Sequence, residues 1–229
     1  MLLQLYAGQL VSQRQHDNTV QTDYSYLTAL CPAPRSIDDL AGAATSSAAA
    51  LPKILPYIND FDAFLIACYS PHPLVAELKK HTPKPVLGIF EASVSTALHL
   101  LGEDQIFGIV STGEVWKQIL GDAMREDLLG VEKMRRVFAG VETLGLNAGD
   151  LHGDEGGEEA KKAVMAATGR LIDADPTMET KVIVLGCAGM AGMEEWVREE
   201  AQRRDRKVRV VDGVKAGVGI LQGLVRGQF

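Results

Sequence analysis

Apolar residues in this chain fall into short unbroken runs, separated by stretches in which they recur at helical spacing. Two runs stand out. Phe64-Leu65-Ile66-Ala67 leads into Cys68-Tyr69-Ser70, and Val182-Ile183-Val184-Leu185 leads into Gly186-Cys187-Ala188-Gly189. Runs of this length predict strands buried on both faces, as in a parallel sheet. Apolar runs and alternation together predict strands over 24–30, 62–69, 86–90, 106–111, 136–142, 181–187 and 207–211. Helical spacing predicts helices over 38–58, 73–81, 92–101, 114–129, 158–174, 193–203 and 214–225. Pro52 and Pro56 should break the end of the first of these. Leu2, Leu3, Leu5, Tyr6, Leu10 and Val11 also sit at roughly helical spacing, so residues 1–12 are read as a short amphipathic helix. His16-Asp17-Asn18 reads as a turn, and Cys31-Pro32-Ala33-Pro34-Arg35-Ser36 as a proline-broken loop.

Strands that alternate with helices predict an α/β fold with parallel sheets. Right-handed crossovers then gather the strand C-termini on one edge, where open α/β sheets bind ligands. The order "strand ending at Cys, helix, strand, turn, helix" occurs over 62–101 and again over 181–225. This is the signature of a duplication. It predicts two pseudosymmetric, flavodoxin-like parallel-sheet domains, residues 1–100 plus 207–229 and residues 101–206, with the active site in the cleft between them. Cys68 and Cys187 would meet across that cleft. The second half opens with a strand over 106–111, and no counterpart is read in the first half. The opening strand of the first domain is therefore expected to be missing.

Composition narrows the function. Apolar residues make up 46 % of the chain, enough for a sizeable core. The net charge of −7 argues against a general nucleic-acid binder, which needs a positive face. The basic run from Arg198 to Arg209 is interleaved with acids and reads as a solvated helix face. Three cysteines make no disulfide framework and favour a reducing compartment. No membrane span or secretory signal is legible, so a cytoplasmic protein is expected. The five histidines, His16, His72, His81, His99 and His152, have no metal-ligand spacing. His72 reads as a surface residue at a helix start. Asp150-Leu151-His152-Gly153-Asp154-Glu155 reads as an acidic loop, and Gly186, Gly189 and Gly192 do not fit the dinucleotide fingerprint. Neither a metal nor a cofactor is expected.

Two thiols at strand ends suit proton transfer at carbon. A strand end that feeds a helix N-terminus favours the thiolate. A thiolate on one face of a carbon acid and a thiol on the other can remove a proton and return one with inversion. Backbone N–H groups at Tyr69-Ser70, Ser111-Thr112-Gly113 and Ala188-Gly189 are placed to bind the developing enolate oxygen. Cys31, beside two prolines, reads as a structural or idle thiol.

These stretches resemble the aspartate/glutamate/hydantoin racemase superfamily, and most closely its hydantoin racemase branch and fungal-type relatives. The resemblance runs through Ala67-Cys68-Tyr69-Ser70, Pro85-Val86-Leu87-Gly88-Ile89-Phe90-Glu91-Ala92-Ser93, Phe107-Gly108-Ile109-Val110-Ser111-Thr112-Gly113, Ala139-Gly140-Val141-Glu142-Thr143, Leu185-Gly186-Cys187-Ala188-Gly189-Met190 and Val211-Asp212-Gly213-Val214. It implies Cys68 and Cys187 as the acid/base residues. It also implies that the turns after each cysteine, Glu91-Ala92-Ser93 and Ser111-Thr112-Gly113 line the substrate site. Such proteins usually open with a strand and an Asn-Pro-Asn-type turn, which this chain does not carry.

The leading expectation is a cofactor-independent racemase or epimerase of amino acids or of cyclic derivatives such as hydantoins or allantoin. The alternatives are a related carbon-acid isomerase or decarboxylase, or a binding paralogue with weak catalysis, which the missing strand would favour. The partner called for is a small-molecule substrate, with homo-oligomerisation open, and neither nucleic acid nor membrane.

Overall fold

The structure, a computed structural model, describes residues 2–4, 13–15, 22–152 and 156–228. In chain order the elements are β1 (Leu2–Gln4), β2 (Gln13–Gln15), β3 (Thr22–Tyr26), α1 (Leu40–Ile54), β4 (Ala63–Ile66), α2 (Pro73–Lys79), β5 (Val86–Gly88) and α3 (Ile89–Leu100). They continue with β6 (Gln105–Ser111), α4 (Val115–Ala123), α5 (Gly130–Val137), β7 (Phe138–Thr143), α6 (Gly156–Ile172), β8 (Glu179–Gly186), α7 (Glu194–Arg203), β9 (Arg209–Asp212) and α8 (Gly213–Gly227). The expected turn at His16-Asp17-Asn18, the helix over 5–12 and residues 153–155 of the acidic loop lie outside the described residues. Among the described residues, no helix is long and apolar enough to cross a membrane.

The chain divides into two compact units, Met1–Ala92 with Val214–Phe229, and Ser93–Gly213. The first holds a sheet of order β2-β3-β1-β4-β5, the second a sheet of order β7-β6-β8-β9. All neighbours are parallel except β2, which runs antiparallel to β3 on the edge. With β2 set aside, the two sheets have the same order. β1 corresponds to β6, β3 to β7, β4 to β8 and β5 to β9. This is the flavodoxin-like winding, in which the switch point lies at the C-terminal ends of the central strands.

Each sheet is built around the run that the sequence marks. All four residues of β4 are buried, as are Val182 to Gly186 of β8. Phe64, Ile66, Leu74, Leu78 and Ile54 share the first core, and Val110, Ile183, Leu185, Val164 and Leu171 the second. Each such side chain, fully buried, contributes roughly 1.5–3 kcal/mol. α1 starts where Asp39 accepts a hydrogen bond from the Gly42 N–H at 2.6 Å, and it gives way to a 3₁₀ turn at Leu55–Tyr57 that contains Pro56, whereas Pro52 lies inside α1 and does not end it.

Three expectations are corrected. The opening strand is present: β1 pairs in parallel with β3 on one side and β4 on the other, so residues 2–4 are not helical. A strand of three residues carries no readable period, and the ladders on both sides define it. Secondly, residues 207–229 do not all belong with the first unit. β9 pairs with β8, and only α8 behind it joins the first unit. Thirdly, the helix expected over 114–129 is divided. A π-helical turn at Met124–Leu128 follows α4, and Gly130, at φ +73°, opens α5.

Candidate functional site

The two cysteines occupy equivalent places. Cys68 follows β4 and Cys187 follows β8, the corresponding strand of the other sheet. Both are half-buried thiols. Their surroundings differ. Cys187 caps the 3₁₀ turn Ala188–Met190, and its Sγ accepts a hydrogen bond from the Gly189 N–H at 3.4 Å. A backbone N–H on sulfur stabilises the anion more than the thiol. Cys68 Sγ instead lies 3.4 Å from the Ser70 hydroxyl. The helix after Cys68 is capped by His72, not by the cysteine. The expectation of a helix N-terminus behind each thiol therefore holds in this form only for Cys187.

His72 is not the surface residue that the sequence suggests. It is 4 % exposed. Its Nδ1 accepts the Leu74 N–H at 3.3 Å, so a neutral ring carries its proton on Nε2. Burial lowers its pKa to about 4. Near neutral pH it is an uncharged donor. His72 and Cys68 share the wall of a pocket of ≈ 170 Å³, together with Thr28, Arg35, Ser46, Ile66 and Leu74. Thr28, Arg35 and Ser46 were not singled out from the sequence. The available signal was position: Thr28 and Arg35 lie on the loop beyond the C-terminal end of β3, the kind of strand end where open sheets bind ligands.

The other expected site residues are distributed as follows. Tyr69 is buried, with its ring 5.4 Å from that of Phe90 in an edge-to-face pair, so its side chain serves the core. Ser70 is fully buried, and its N–H donates to the Cys68 carbonyl at 3.1 Å. Glu91 stands half-buried in the first turn of α3, and Ser93 is fully buried two residues on. In the second unit, Ser111 ends β6, and its hydroxyl donates to the Gly186 carbonyl at 3.0 Å, tying β6 to the residue before Cys187. Thr112 is buried and its carbonyl accepts the N–H groups of Leu144 and Gly145, at 3.0 and 3.3 Å. Gly113 follows, before α4 begins. Ala188 and Gly189 form the turn after Cys187. Of the N–H groups offered by the sequence for an enolate, those of Ser70 and Gly189 are thus engaged within their own turns.

The edge of the second sheet also carries charge. Burial raises the pKa of Glu142, but hydrogen bonds from Arg170 and from Lys117, the latter at 2.9 Å, outweigh it and hold the carboxyl below its ordinary range. The Thr143 hydroxyl donates to Glu114. Among the described residues, no group of three or more His, Cys, Asp or Glu side chains is placed to hold a metal ion.

With this geometry described, comparison with known proteins is informative. Residues 9–221 match the family described as Asp/Glu/Hydantoin racemase. An uncharacterized protein of Schizosaccharomyces pombe is 34 % identical over 201 residues, which cover 88 % of this chain and 79 % of that protein. A hydantoin racemase of Paenarthrobacter aurescens is 28 % identical over 167 residues, 73 % of this chain and 63 % of that protein. Among solved structures, an allantoin racemase from Klebsiella pneumoniae superposes with a TM-score of 0.70 at 22 % identity, over 90 % of this chain and 77 % of that one. At that identity the superposition speaks for the fold.

Proposed function

This chain belongs to the Asp/Glu/hydantoin racemase family, and from that premise we propose that it is a racemase or epimerase of a cyclic amino-acid derivative of the hydantoin or allantoin kind, with Cys68 and Cys187 as its acid/base pair. The observation that carries the reading is the equivalence of the two cysteines: each follows the same strand of two sheets wound in the same order.

The chemistry balances with no further reagent. One cysteine, as thiolate, takes the proton from the stereogenic carbon and becomes a thiol. The electron pair left behind is delocalised onto the neighbouring carbonyl oxygen as an enolate. The other cysteine, as thiol, returns a proton to the opposite face and becomes the thiolate. The configuration is inverted, and the protonation states of the two sulfurs have exchanged. The Gly189 N–H on Cys187 favours the thiolate there, which makes Cys187 the resting base. The donors proposed for the enolate oxygen are the N–H groups of Thr112 and Gly113, in the turn between β6 and α4. A hydantoin ring is the easier substrate, because its stereocentre lies between a ring carbonyl and an acylated nitrogen, where a free amino acid has a carboxylate and an amine, and its C–H is the more acidic.

A paralogue that only binds was the reading favoured by a missing opening strand. β1 removes that argument. The experiment is turnover of single-enantiomer hydantoins, allantoin and acidic amino acids by the purified protein in deuterated buffer. Loss of optical activity with deuterium at the stereocentre is expected for a cyclic derivative. Folded protein that exchanges none of them overturns the reading.

A further inference from the structure

The pocket beside Cys68 contains groups that proton transfer does not use. It lies wholly within the first unit, and its volume of ≈ 170 Å³ admits a substituent of a few heavy atoms. Ile66 and Leu74 give it an apolar wall. Its polar side chains are Thr28, Ser46, His72 and Arg35, and every one of them can donate a hydrogen bond. Arg35 is exposed and therefore stands at the rim; it carries the only charged side chain among the lining residues, and no lining residue is acidic. Thr28 Oγ1 is buried and, among the described residues, has no hydrogen-bond partner. A buried hydroxyl in that condition is unfavourable; by turning into the pocket it would meet a ligand atom that accepts its proton and relieves the cost. His72 has its Nδ1 committed to the Leu74 N–H and keeps Nε2–H as its remaining donor.

A lining in which each of these side chains can donate, under a single cation, fits an anion that brings only acceptors. A carboxylate has two oxygens and no proton to give, and a guanidinium recognises it in a charge-assisted pair. A neutral amide of the same shape would forgo the charge-assisted pair with Arg35, although the hydroxyls of Thr28 and Ser46 could accept from its N–H₂. A branched alkyl group would suit the apolar wall but leave Thr28 and His72 unanswered.

We infer that this pocket receives the substituent on the reacting carbon and selects a short carboxylate, with Arg35 at the rim and the Thr28 hydroxyl inside as its anchors. The inference rests on the racemase reading for its reaction and on the pocket alone for its ligand. The substrate class is then a cyclic ureide of an acidic amino acid.

The test compares three near-isosteric ligands: 5-carboxymethylhydantoin, its 5-carbamoylmethyl amide and 5-isobutylhydantoin. Binding is read by thermal stabilisation and turnover by deuterium uptake, on wild type, Arg35→Gln and Thr28→Val. The acid is expected to stabilise wild type most and to have a kcat/KM at least tenfold above that of the amide. Arg35→Gln, at an exposed position that does not load the core, should bring the acid-to-amide ratio toward one. Thr28→Val should lower the same ratio without lowering the melting temperature of the ligand-free protein. Equal or better use of the isobutyl compound, or an acid-to-amide ratio unmoved by Arg35→Gln, overturns the pocket assignment while leaving racemisation standing. Selective, Arg35-dependent stabilisation by the acid with no deuterium uptake upholds the pocket and overturns the racemase reading.

Discussion

The Gly189 N–H donates to Cys187 Sγ across 3.4 Å, whereas Cys68 Sγ has the Ser70 hydroxyl at the same distance. The donor to Cys187 is fixed in the backbone of a turn; the hydroxyl near Cys68 can rotate and either accept or donate. A fixed N–H donor favours the thiolate form of Cys187. With iodoacetamide at neutral pH, peptide mass spectrometry should show Cys187 alkylated faster than Cys68. Gly189→Pro removes the N–H and should slow alkylation of Cys187 several-fold, with Cys68 as the internal control.

Gly186 has no room for a side chain. A Cβ there would lie 2.7 Å from the Val110 carbonyl oxygen and 2.8 Å from Ile109 Cγ2, and a backbone oxygen held in a sheet cannot step aside. Gly186→Ala should cost about 1–3 kcal/mol of stability, as overpacking does, and should displace Cys187. Gly88→Ala is the contrast. Its Cβ would meet the carboxylate tip of Glu91, which is able to swing away. Urea unfolding should show a large loss for Gly186→Ala and a much smaller one for Gly88→Ala.

Burial lowers the pKa of His72 from 6.5 to about 4. Below pH 6.5 the unfolded chain takes up a proton that the folded chain refuses, so stability is complete above that pH and falls as the pH drops. The loss runs from about 6.5 down to about 4 and reaches roughly 3 kcal/mol, at about 1.4 kcal/mol per pH unit. His72→Asn keeps an N-cap acceptor and cannot titrate. Its unfolding free energy, followed by urea titration at a series of pH values, should have a visibly shallower slope in that window than wild type.

The parts of this architecture that the sequence revealed are those where one interaction dominates. β4 and β8 are buried on both faces, so their composition alone marks them, and the cysteines behind them could be placed at equivalent strand ends. β1 was illegible because Leu2, Leu3, Leu5 and Tyr6 also fit a helix, and three residues of strand are defined only by partners far along the chain. The place of β9 was misread because the chain changes sheet between β9 and α8, and no composition shift marks Asp212-Gly213. His72 looked like a solvent-facing cap; it is buried in a fold that sets it in one pocket wall with residues some forty positions earlier, such as Thr28 and Arg35. Local spacing carries no record of such contacts.

The most direct test of the two-thiol mechanism uses the single variants Cys68→Ala and Cys187→Ala, with each enantiomer of a hydantoin that wild type racemises, in deuterated buffer. Each variant should lose racemisation by at least about 100-fold, the scale of one acid/base group. Each should still exchange the proton of one enantiomer, and the two variants should exchange opposite ones. Racemisation at the wild-type rate by either variant, or exchange of the same enantiomer by both, would contradict a mechanism in which Cys68 and Cys187 serve opposite faces of one carbon.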